Sequence, residues 1–514
     1  MKSCDVLIAG AGPTGLVLAL WLTRVGVRAR IVDKVGEPGT TSRALGVQAR
    51  TLEFYRQLGI ADDVVDRGLK FVAANLWVKG RQVGHVRFGD MGVGLSPYPY
   101  MLIFPQDEHE RLLIDRLDEL GVHVERPMEL LGFEERGDGI VARLKRADGG
   151  KERCAAAYLA GCDGARSIVR DQLATGFPGG TYAHTFYVAD AQAAGPVMNH
   201  ELHVALDDAA FLAVFPLKGD GRARFIGTVK DPAATASRAL DWPDVSTQVI
   251  DRLGVTVERI NWFSTYHVHH RVAAHFRAGR AFLLGDAAHI HSPVGAQGMN
   301  TGLGDAFNLA WKLAAVLQGC ASPRLLDTYE PERIAFAQRL VATTDRVFQL
   351  ATSDGPLARW IRVNIVPRVM PPLFSLARMR RFMFRTISQT AVEYRHSALS
   401  SGGAGRVRAG DRLPWVELGT AVDSADNFAP LATLDWQVHV YGSPAASIVD
   451  ACKARGILLH AFAWRDEMRA AGLAHDAVYL LRPDGYVAFA DPGAGATALS
   501  GYLDAWDVRP RKGH

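Results

Sequence analysis

The spacing of apolar residues predicts a strand, a helix and a second strand at the start of the chain. An apolar run at Asp5–Ala9 has the length of a buried strand, and an apolar stretch that reaches Val25 has the length of a helix. Between them lies the glycine-rich turn Gly10–Gly15, and a further run at Val27–Asp33 predicts the next strand. This order of elements is the βαβ unit that binds dinucleotides.

The most detailed pattern occupies the stretch 281–317. It consists of an apolar run at Ala281–Leu284, a Gly285-Asp286 turn, a loop with proline and glycine, and a helix. Apolar residues three or four apart give that helix one buried face: Leu303, Phe307, Ala310, Leu313 and Leu317. A carboxylate at a strand end, next to the start of a helix, suits a ligand with hydroxyls and an anionic ring. A tight turn without a ligand would look similar, but the length and detail of the stretch favour the ligand.

Alternating apolar and polar residues predict a second sheet between positions 177 and 270. Examples are 211–216 and 224–229, and this alternation is typical of antiparallel strands with one face on a core. A sheet inserted between two halves of the nucleotide-binding unit is a natural lid for an apolar substrate. A further strand at 156–162 runs into Asp163, as if two turns containing aspartate met at one ligand.

Proline and glycine divide the second half of the chain into a connector and a final domain. Residues 324–395 are predicted to be helical with proline interruptions, and the glycine-rich run 400–405 marks a boundary. The predicted domains are a nucleotide-binding domain (1–75, 101–176 and 271–345), a sheet domain (76–100 and 177–270), a helical connector (346–400) and a C-terminal α/β domain (405–514).

Composition is that of an ordinary soluble protein with two or three domains. The chain has 514 residues, of which 48% are hydrophobic and 22% charged, and its net charge is +4. This charge is small and spread along the chain, so nucleic acid is not an expected partner. Five cysteines without a CxxC pair fit a reducing cytosol, and no apolar run approaches the length of about 18 residues that a membrane span needs. We predict a cytoplasmic protein without stable membrane association.

Three glycines and an acid give the first turn its predicted chemistry. Gly10 allows the tight turn, Gly12 lets a diphosphate approach the backbone, and Gly15 lets helix and strand pack closely. Asp33 follows Gly15 by 18 residues, where an acid can accept hydrogen bonds from ribose hydroxyls. For Arg43 the spacing leaves two interpretations open: a cation near a flavin or phosphate, and a surface arginine.

Closely spaced histidines raise the question of a metal site. His267, His269 and His270 share a predicted strand, and His289 and His291 lie close together further along. Neither group has a carboxylate or cysteine that completes a ligand set, so no metal is predicted. The role expected for His289 is to orient its loop.

Three motifs carry a family resemblance. They are Gly10–Gly15, Asp163–Ser167, and Gly285–His289 with Pro293 and Gly298–Asn300. Together they resemble the signatures of the FAD-dependent aromatic hydroxylases, which are single-component group A flavoprotein monooxygenases with the para-hydroxybenzoate hydroxylase fold. The tail, at Ala409–Pro414 and Leu481–Val487, resembles the thioredoxin-like C-terminal domain of the phenol hydroxylase branch. The resemblance covers essentially the whole chain.

The resemblance implies an α/β fold with a discontinuous Rossmann-like FAD-binding domain, an inserted antiparallel β-sheet substrate domain and a C-terminal thioredoxin-like domain. The residues it implies for FAD binding are Gly10, Gly12, Pro13, Thr14, Gly15, Asp33, Lys34, Arg43, Gln106, Asp163, Gly285, Asp286, Gly298, Met299 and Asn300. Those it implies for catalysis, by positioning, are Arg43, Pro293 and Gly295, and those for substrate contacts are Phe211, Phe215, Pro293 and Val294. Ala296 stands where the family often has glycine, which is expected to narrow the loop beside the flavin.

The implied reaction is hydroxylation of a small phenolic or other aromatic substrate. In the family, NADPH or NADH reduces FAD, O2 adds at flavin C4a, and the hydroperoxyflavin delivers an electrophilic OH to the ring. The alternative is a Baeyer–Villiger-type oxygenase that acts on a polyketide-like substrate with the same flavin chemistry. From a different class, a flavin-bound scaffold whose C-terminal domain recruits a partner would share the motifs. That domain has Cys452 but no CxxC pair, which favours packing or a homodimer contact over redox chemistry.

Overall fold

The computed structural model describes most of the chain. The described residues are 2–39, 44–89, 91–206, 211–229, 240–292, 294–352, 355, 360–365, 368–369, 372–373, 376–419, 426–493 and 495–511. Two predicted site residues, Arg43 and Pro293, lie outside these ranges, as does much of the predicted helical connector.

Strands and helices alternate near both ends of the chain, whereas strands dominate from 179 to 290. The strands are β1 (Lys2–Ala9), β2 (Ala29–Val32), β3 (Gly46–Val47), β4 (Leu69–Phe71), β5 (Ala73–Val78), β6 (Arg81–Arg87), β7 (Met101–Ile103), β8 (Met128–Arg136), β9 (Gly139–Arg146), β10 (Lys151–Gly161), β11 (Gly179–Ala194), β12 (Leu202–Leu206), β13 (Phe211–Pro216), β14 (Arg222–Thr228), β15 (Thr256–Val272), β16 (Arg277–Ala278), β17 (Ala281–Leu283), β18 (His289–Ile290), β19 (Ser401–Ala404), β20 (Val407–Arg408), β21 (Gln437–Tyr441), β22 (Leu458–Phe462), β23 (Val478–Leu481) and β24 (Val487–Asp491). The helices are α1 (Pro13–Arg24), α2 (Ala49–Gln57), α3 (Ala61–Arg67), α4 (Gln106–Glu119), α5 (Ile168–Leu173), α6 (Gln248–Arg252), α7 (Gly298–Leu317), α8 (Tyr329–Thr352), α9 (Ala377–Ile387), α10 (Ala446–Arg455), α11 (Asp466–Ala471) and α12 (Ala496–Ala505).

Helix ends follow local sequence signals. Helix α1 begins at Pro13, whose fixed φ and missing N–H suit a first helical position. Gly26 and Gly319 follow the ends of α1 and α7 with φ of 80° and 69°, a left-handed conformation that closes a helix. The predicted ends of both helices are confirmed. Helix α7 begins at Gly298, earlier than its apolar stripe indicates, and is buried along most of its length.

A seven-stranded sheet contains the predicted βαβ unit. Its central order is β16-β17-β10-β1-β2, and β8 and β9 extend it beside β10. Strand β1 is parallel to β2 and to β10, and β10 is parallel to β17. Residues 122–126 also have the apolar spacing of a strand, but there Glu125 makes only an isolated bridge to Val32.

An eight-stranded sheet is built mainly from 179–272. Its order is β18-β15-β11-β14-β13-β12-β5-β6. Neighbours are antiparallel, as predicted for 177–270, except that β5 runs parallel to β12. The exception arises because β5 enters from a distant part of the chain, so no hairpin fixes its direction. Strand β18 follows the Gly285-Asp286 turn directly and pairs with β15, which joins this sheet to the first one.

The C-terminal residues form a six-stranded sheet whose inner face shares a core with the N-terminal part of the chain. The sheet order is β20-β19-β24-β23-β21-β22, and α10 links the parallel strands β21 and β22. Val438 and Leu480 pack into the same hydrophobic cluster as Leu16 of α1 and Trp311 of α7. This part of the chain therefore packs as an extension of one large core. The thioredoxin-like assignment stays a prediction.

Two features are absent from the described part of the chain. None of its helices is long and apolar enough to cross a membrane. Its histidine, cysteine, aspartate and glutamate side chains form no group of three or more that could hold a metal ion.

Candidate FAD and substrate site

The three sequence motifs follow three neighbouring parallel strands. Ala9 of β1 pairs with Gly161 of β10, and Gly161 pairs with Leu283 of β17. Because parallel strands end at the same edge of a sheet, the turns that follow them meet there. A Cβ atom built onto Gly10 would overlap the carbonyl group of Cys162, so the first turn touches the second through its backbone. The meeting of the Asp163 turn with the other turns is what the sequence predicted.

The glycine turn has the geometry of a diphosphate site. A Cβ atom on Gly15 would overlap the carbonyl oxygen of Gly10, so only glycine lets α1 pack this close to the turn. A Cβ atom on Gly12 would meet no described atom within 4 Å, so space is open on that side. No described side chain caps α1, which leaves the backbone N–H groups of Thr14 and Gly15 available for an anion. A dinucleotide diphosphate fits this turn.

Asp33 is held at the end of β2 beside the same turn. Its carboxylate accepts hydrogen bonds from the N–H of Ala11 at 2.7 Å and of Val35 at 2.8 Å. These contacts fix the carboxylate and leave lone pairs for ribose hydroxyls. Lys34 is exposed beside it. Arg126, which the sequence did not single out, lies 3.7 Å from Asp33 and donates to the carbonyl oxygen of Ala11 at 3.2 Å.

The Gly285-Asp286 turn packs against the first helix. A Cβ atom on Gly285 would lie 2.7 Å from Oγ1 of Thr14, and one on Gly302 of α7 would lie 2.5 Å from the same oxygen. The start of α1, the Gly285 turn and the first turns of α7 therefore meet at Thr14. Asp286 is exposed, although the residues on both sides of it are buried. Its carboxylate faces out of the core at this meeting point, where a hydroxylated cofactor can reach it.

A buried ionic cluster holds the Gly285-Asp286 turn in place. We call it the Asp305 cluster: Asp305, His289, Arg333 and the backbone N–H of Gly285. Asp305 accepts hydrogen bonds from Gly285 N–H at 3.0 Å, from His289 Nε2 at 2.7 Å and from Arg333 Nε at 2.6 Å. Burial by itself would raise the pKa of Asp305, but the charge of Arg333 and the contact with His289 hold it below its usual value. The predicted loop-orienting role of His289 is in keeping with its place here.

The side chains of Asp163 and Gln106 both form hydrogen bonds with other protein groups. Asp163 accepts from the N–H of Ile168 at 2.8 Å and from Oγ of Ser167 at 2.5 Å, and so caps α5. Burial raises the pKa of Asp163, against the effect of these hydrogen bonds. Gln106 begins α4 and donates to Glu110 at 2.8 Å. Both residues border the site, and their contacts with FAD stay predictions.

Asn300 fastens the loop before α7 to the segment after Arg43. Its amide oxygen accepts hydrogen bonds from Gln48 N–H and Thr51 Oγ1, and its NH2 donates to the carbonyl oxygens of Gly46 and Ala296, all at 2.8–2.9 Å. The amide oxygen and the NH2 group of Asn300 are thus both engaged by protein groups, and a flavin contact at this position stays a prediction. Gly298 and Met299 precede it, and no described side chain caps this end of α7.

The turn before α7 has left-handed backbone at two successive residues. Gly295 has φ of 76° and its carbonyl oxygen accepts from Gln48 Nε2 at 2.9 Å, while Ala296 has φ of 53°. Glycine adopts this conformation readily and alanine does not. Val294 lies in the same turn, but its side chain is outside the described part of the structure.

One face of β13 carries the two predicted substrate contacts. Phe211 and Phe215 are four residues apart on a strand and therefore share a face, while Leu212 between them points into the opposite core. Phe215 packs with Leu45, next to the segment that Asn300 holds. Half-buried aromatic side chains thus line the sheet on the side of the FAD motifs.

A buried ion pair of the eight-stranded sheet contacts the segment after Arg43. Arg224 of β14 donates to both carboxylate oxygens of Asp190 at 2.6 and 2.7 Å, and to the carbonyl oxygen of Ala44 at 3.3 Å. The sequence motifs did not point to five further residues of this candidate site: Asp305, Arg333, Gly302, Arg126 and Arg224. For Asp305, Arg333 and Arg224 the only signal was a charged residue in a buried helix or strand, and the same signal is typical of solvent-facing positions.

Comparison with known proteins identifies the family. Residues 3–344 match the family model described as an FAD binding domain. The chain belongs to this family. A 6-methylpretetramide 4-monooxygenase of Streptomyces rimosus is 35% identical over 98% of this chain and 94% of its own length. The chain is an FAD-dependent monooxygenase of the aromatic hydroxylase group, as the motifs indicated.

Solved structures agree with this assignment. The anhydrotetracycline hydroxylase OxyS from Streptomyces rimosus covers 99% of this chain and 100% of its own, with a TM-score of 0.78 and 30% identity. Aklavinone-11 hydroxylase, solved with FAD and aklavinone, covers 98% of both chains with a TM-score of 0.78 and 26% identity. The mixed α/β fold with several sheets is therefore that of the FAD-dependent hydroxylases.

Proposed function

We propose that this monooxygenase hydroxylates a phenolic ring of a polycyclic, polyketide-like substrate, with O2 and NADPH or NADH as co-substrates. The observation that supports it most is the aromatic face of the eight-stranded sheet, with Phe211 and Phe215, on the side of the FAD motifs. The first two relatives named above act on 6-methylpretetramide and anhydrotetracycline, and the second structure holds aklavinone. A broad apolar face of this kind suits fused aromatic rings.

In this proposal the residues at the sheet edge bind the cofactor. The turn Gly12–Gly15 binds the diphosphate, Asp33 accepts from the adenosine ribose, and Asp286 accepts from ribityl or diphosphate-linked groups. The start of α7 at Gly298–Asn300 lies against the pyrimidine edge of the flavin, where its N-terminal dipole favours negative charge. FAD supplies the activation of O2. The protein contributes by positioning: it holds the ring within reach and keeps water out.

The proposal also assigns parts of the chain to domains. The seven-stranded sheet with α1 and α7 is the FAD-binding domain, and the eight-stranded sheet is the substrate domain inserted into it. The C-terminal sheet is the thioredoxin-like domain, and its role is packing or a homodimer contact. Arg43 and Pro293, near the flavin in this proposal, complete the catalytic positions with Gly295.

The test is a panel of polycyclic phenols given to the FAD-loaded protein with NADPH or NADH. Consumption of reductant should rise when a substrate is present, and labelled O2 should place one oxygen atom on a ring carbon of the product. Hydrogen peroxide is measured in parallel to detect uncoupled turnover. A product with the oxygen inserted into a carbon–carbon bond would show the Baeyer–Villiger alternative instead. Tight FAD binding without stimulation by any aromatic compound would contradict both.

Two variants separate the cofactor site from the substrate face. Asp286→Ala should weaken FAD binding, measured by flavin fluorescence. Phe215→Ala should leave FAD affinity within about twofold, raise KM, and increase the fraction of reductant that ends as peroxide. Equal loss of FAD affinity in both variants would contradict the separation of the two sites.

A further inference from the structure

A pocket lies where α1 and α7 meet the C-terminal sheet, under the last described residues of the chain. Three tryptophans line it: Trp21 of α1, Trp311 of α7, and Trp436 just before β21. Each of the three is at most 2% exposed. The rings of Trp311 and Trp436 stand perpendicular, with centroids 5.5 Å apart. This pocket is separate from the FAD and substrate site.

The three indole nitrogens share an unusual property. Each is buried, and no described residue accepts a hydrogen bond from it. Elsewhere in the chain the indole N–H of Trp77 donates to His203 at 3.0 Å, and that of Trp415 donates to Asp426 at 3.0 Å. Native proteins leave few buried polar groups without a partner, and water or an ion often supplies it. Three such donors around one pocket indicate an acceptor inside it.

The charged residues of the lining indicate what kind of acceptor fits. Arg509 and Arg511 line the pocket together with one carboxylate, Asp435. The two oxygens of Asp435 accept from the backbone N–H of Trp436 at 2.8 Å and of Arg511 at 3.0 Å. Arg509 also pairs with Asp507 at 2.7 Å, and Arg511 lies 3.6 Å from Asp435. An indole N–H can only donate, so three of them around one pocket favour a species that accepts from all three.

We propose that this pocket binds one halide-sized anion, chloride under ordinary conditions. Its other walls include Ala314, Ala315 and Leu434, and a weakly hydrated single charge tolerates such apolar surroundings better than phosphate or sulfate does. The anion joins three parts of the chain, since its donors come from α1, α7 and the strand region of the C-terminal sheet. It binds the assembled junction and not the unfolded chain, so it stabilises the junction by mass action.

The test uses the full-length FAD-loaded protein with bromide in place of chloride. Crystals grown in bromide should show an anomalous scattering peak in the pocket. In solution, the midpoint of thermal unfolding should rise by about 1–2 °C in bromide or chloride, relative to gluconate at equal ionic strength. Trp436→Phe keeps an aromatic ring but removes one donor, and it should reduce or abolish both signals. Trp77→Phe, which removes a paired indole far from the pocket, is the matched control and should keep them.

Three outcomes would overturn the proposal. One is ordinary water density in the pocket with no anomalous peak. Another is a halide effect of equal size in the wild type and Trp436→Phe, because it would arise elsewhere. The third is a peak in crystals without any halide-specific shift in solution, which would mean binding at crystal concentration only. If Trp436→Phe does not fold, Trp21→Phe gives the same comparison from the other side of the pocket.

Discussion

Two buried ionic clusters lie side by side on α8, and they differ in what they hold. Arg333 belongs to the Asp305 cluster. Its neighbour Glu332 belongs to a second group, the Glu332 cluster, which consists of Glu332, Lys312, Arg482 and Asp484. Glu332 accepts from Lys312 at 2.8 Å and from Arg482 at 2.8 and 3.1 Å, and Arg482 also donates to Asp484 at 2.6 and 2.9 Å. All four side chains are at most 2% exposed.

The difference lies in where each cluster ends. The Glu332 cluster joins side chains of α7, α8 and the turn after β23, so it fastens the C-terminal sheet to the rest of the protein. The Asp305 cluster ends on the backbone N–H of Gly285, next to the exposed Asp286. Both clusters are buried ionic networks, but the Glu332 cluster stabilises the fold, whereas the Asp305 cluster holds the Gly285-Asp286 turn. Variants in each cluster should separate stability from FAD affinity.

The largest effect is expected for Glu332→Gln. Removing one partner of a buried ionic group leaves Lys312 and Arg482 insufficiently compensated, and the free energy of unfolding should fall by about 3–5 kcal/mol. Chemical denaturation measures this, and FAD affinity of the folded variant should stay within about threefold of the wild type. Glu119→Gln is the control: its partner Arg116 is at the surface, and the change should cost less than about 1 kcal/mol. A large loss of FAD affinity without a loss of stability would reverse the comparison.

Asp305→Asn should weaken FAD binding as well as stability. The variant loses a charged acceptor for Gly285 N–H, and hydrogen bonds to charged groups contribute about 1.5–3 kcal/mol. We expect the FAD dissociation constant to rise about tenfold or more, measured by flavin fluorescence on protein that circular dichroism shows to be folded. Glu332→Gln is here the matched control, because it disturbs the adjacent residue of α8. If both variants bind FAD equally well, the Asp305 cluster has no special role at the turn.

The Glu332 cluster should also give stability a dependence on pH. Burial lowers the pKa of Lys312 from 10.5 to about 8, although Glu332 opposes the shift. Between these values the unfolded chain binds more protons than the folded one, so the free energy of unfolding rises with pH, by up to about 1.4 kcal/mol per pH unit. Below pH 8 Lys312 is charged in both the folded and the unfolded state, so the free energy of unfolding is lowered by the full cost of burying that charge. Denaturation at pH 8, 9 and 10 should show this rise in the wild type and lack it in Lys312→Met.

A surface lysine is the control for that pH series. Lys145 is half-exposed, and Lys145→Met should keep the wild-type dependence. The prediction would be contradicted if the free energy of unfolding of Lys312→Met rose with pH as steeply as that of the wild type.

The cofactor turns could be predicted from the sequence because each is local. Glycine and aspartate at strand ends mark a turn wherever the chain goes next, and the parallel-sheet rule brings Gly10, Asp163 and Gly285 to one edge. The clusters could not be predicted. Asp305, Asn308 and Lys312 form one polar stripe on α7, and in sequence such a stripe looks like a solvent-facing side. Only partners from distant segments show that it is buried.

Asn300 was predicted as a site residue, but its hydrogen-bond partners could not be predicted from the local sequence either. The motif predicts a flavin contact at Asn300, which lies in the first turn of α7. Its amide, however, bonds Gly46 and Gln48, which are some 250 positions away in the chain. No local pattern encodes such a contact. The parallel pairing of β5 with β12 was missed for the same reason.

The smallest effect is expected in the turn that Asn300 fastens. Ala296 has φ of 53°, and a left-handed conformation costs a non-glycine residue about 1–2 kcal/mol. Glycine removes that strain but gives the unfolded chain more freedom, so Ala296→Gly should raise the free energy of unfolding by only about 0.5 kcal/mol. Ala174 has the same φ at an exposed helix end and is the matched control.

The two alanines differ in what their methyl groups touch, and that difference decides the outcome. A Cβ atom on Gly46 would lie 2.6 Å from the Cβ of Ala296, so the Ala296 methyl packs against the segment that Asn300 holds. If strain dominates, chemical denaturation should show equal gains for Ala296→Gly and Ala174→Gly. If the methyl contact dominates, only Ala174→Gly gains stability, and Ala296→Gly loosens the turn beside α7. An accompanying change in FAD affinity would then show that this turn, like the Asp305 cluster, acts on the cofactor site.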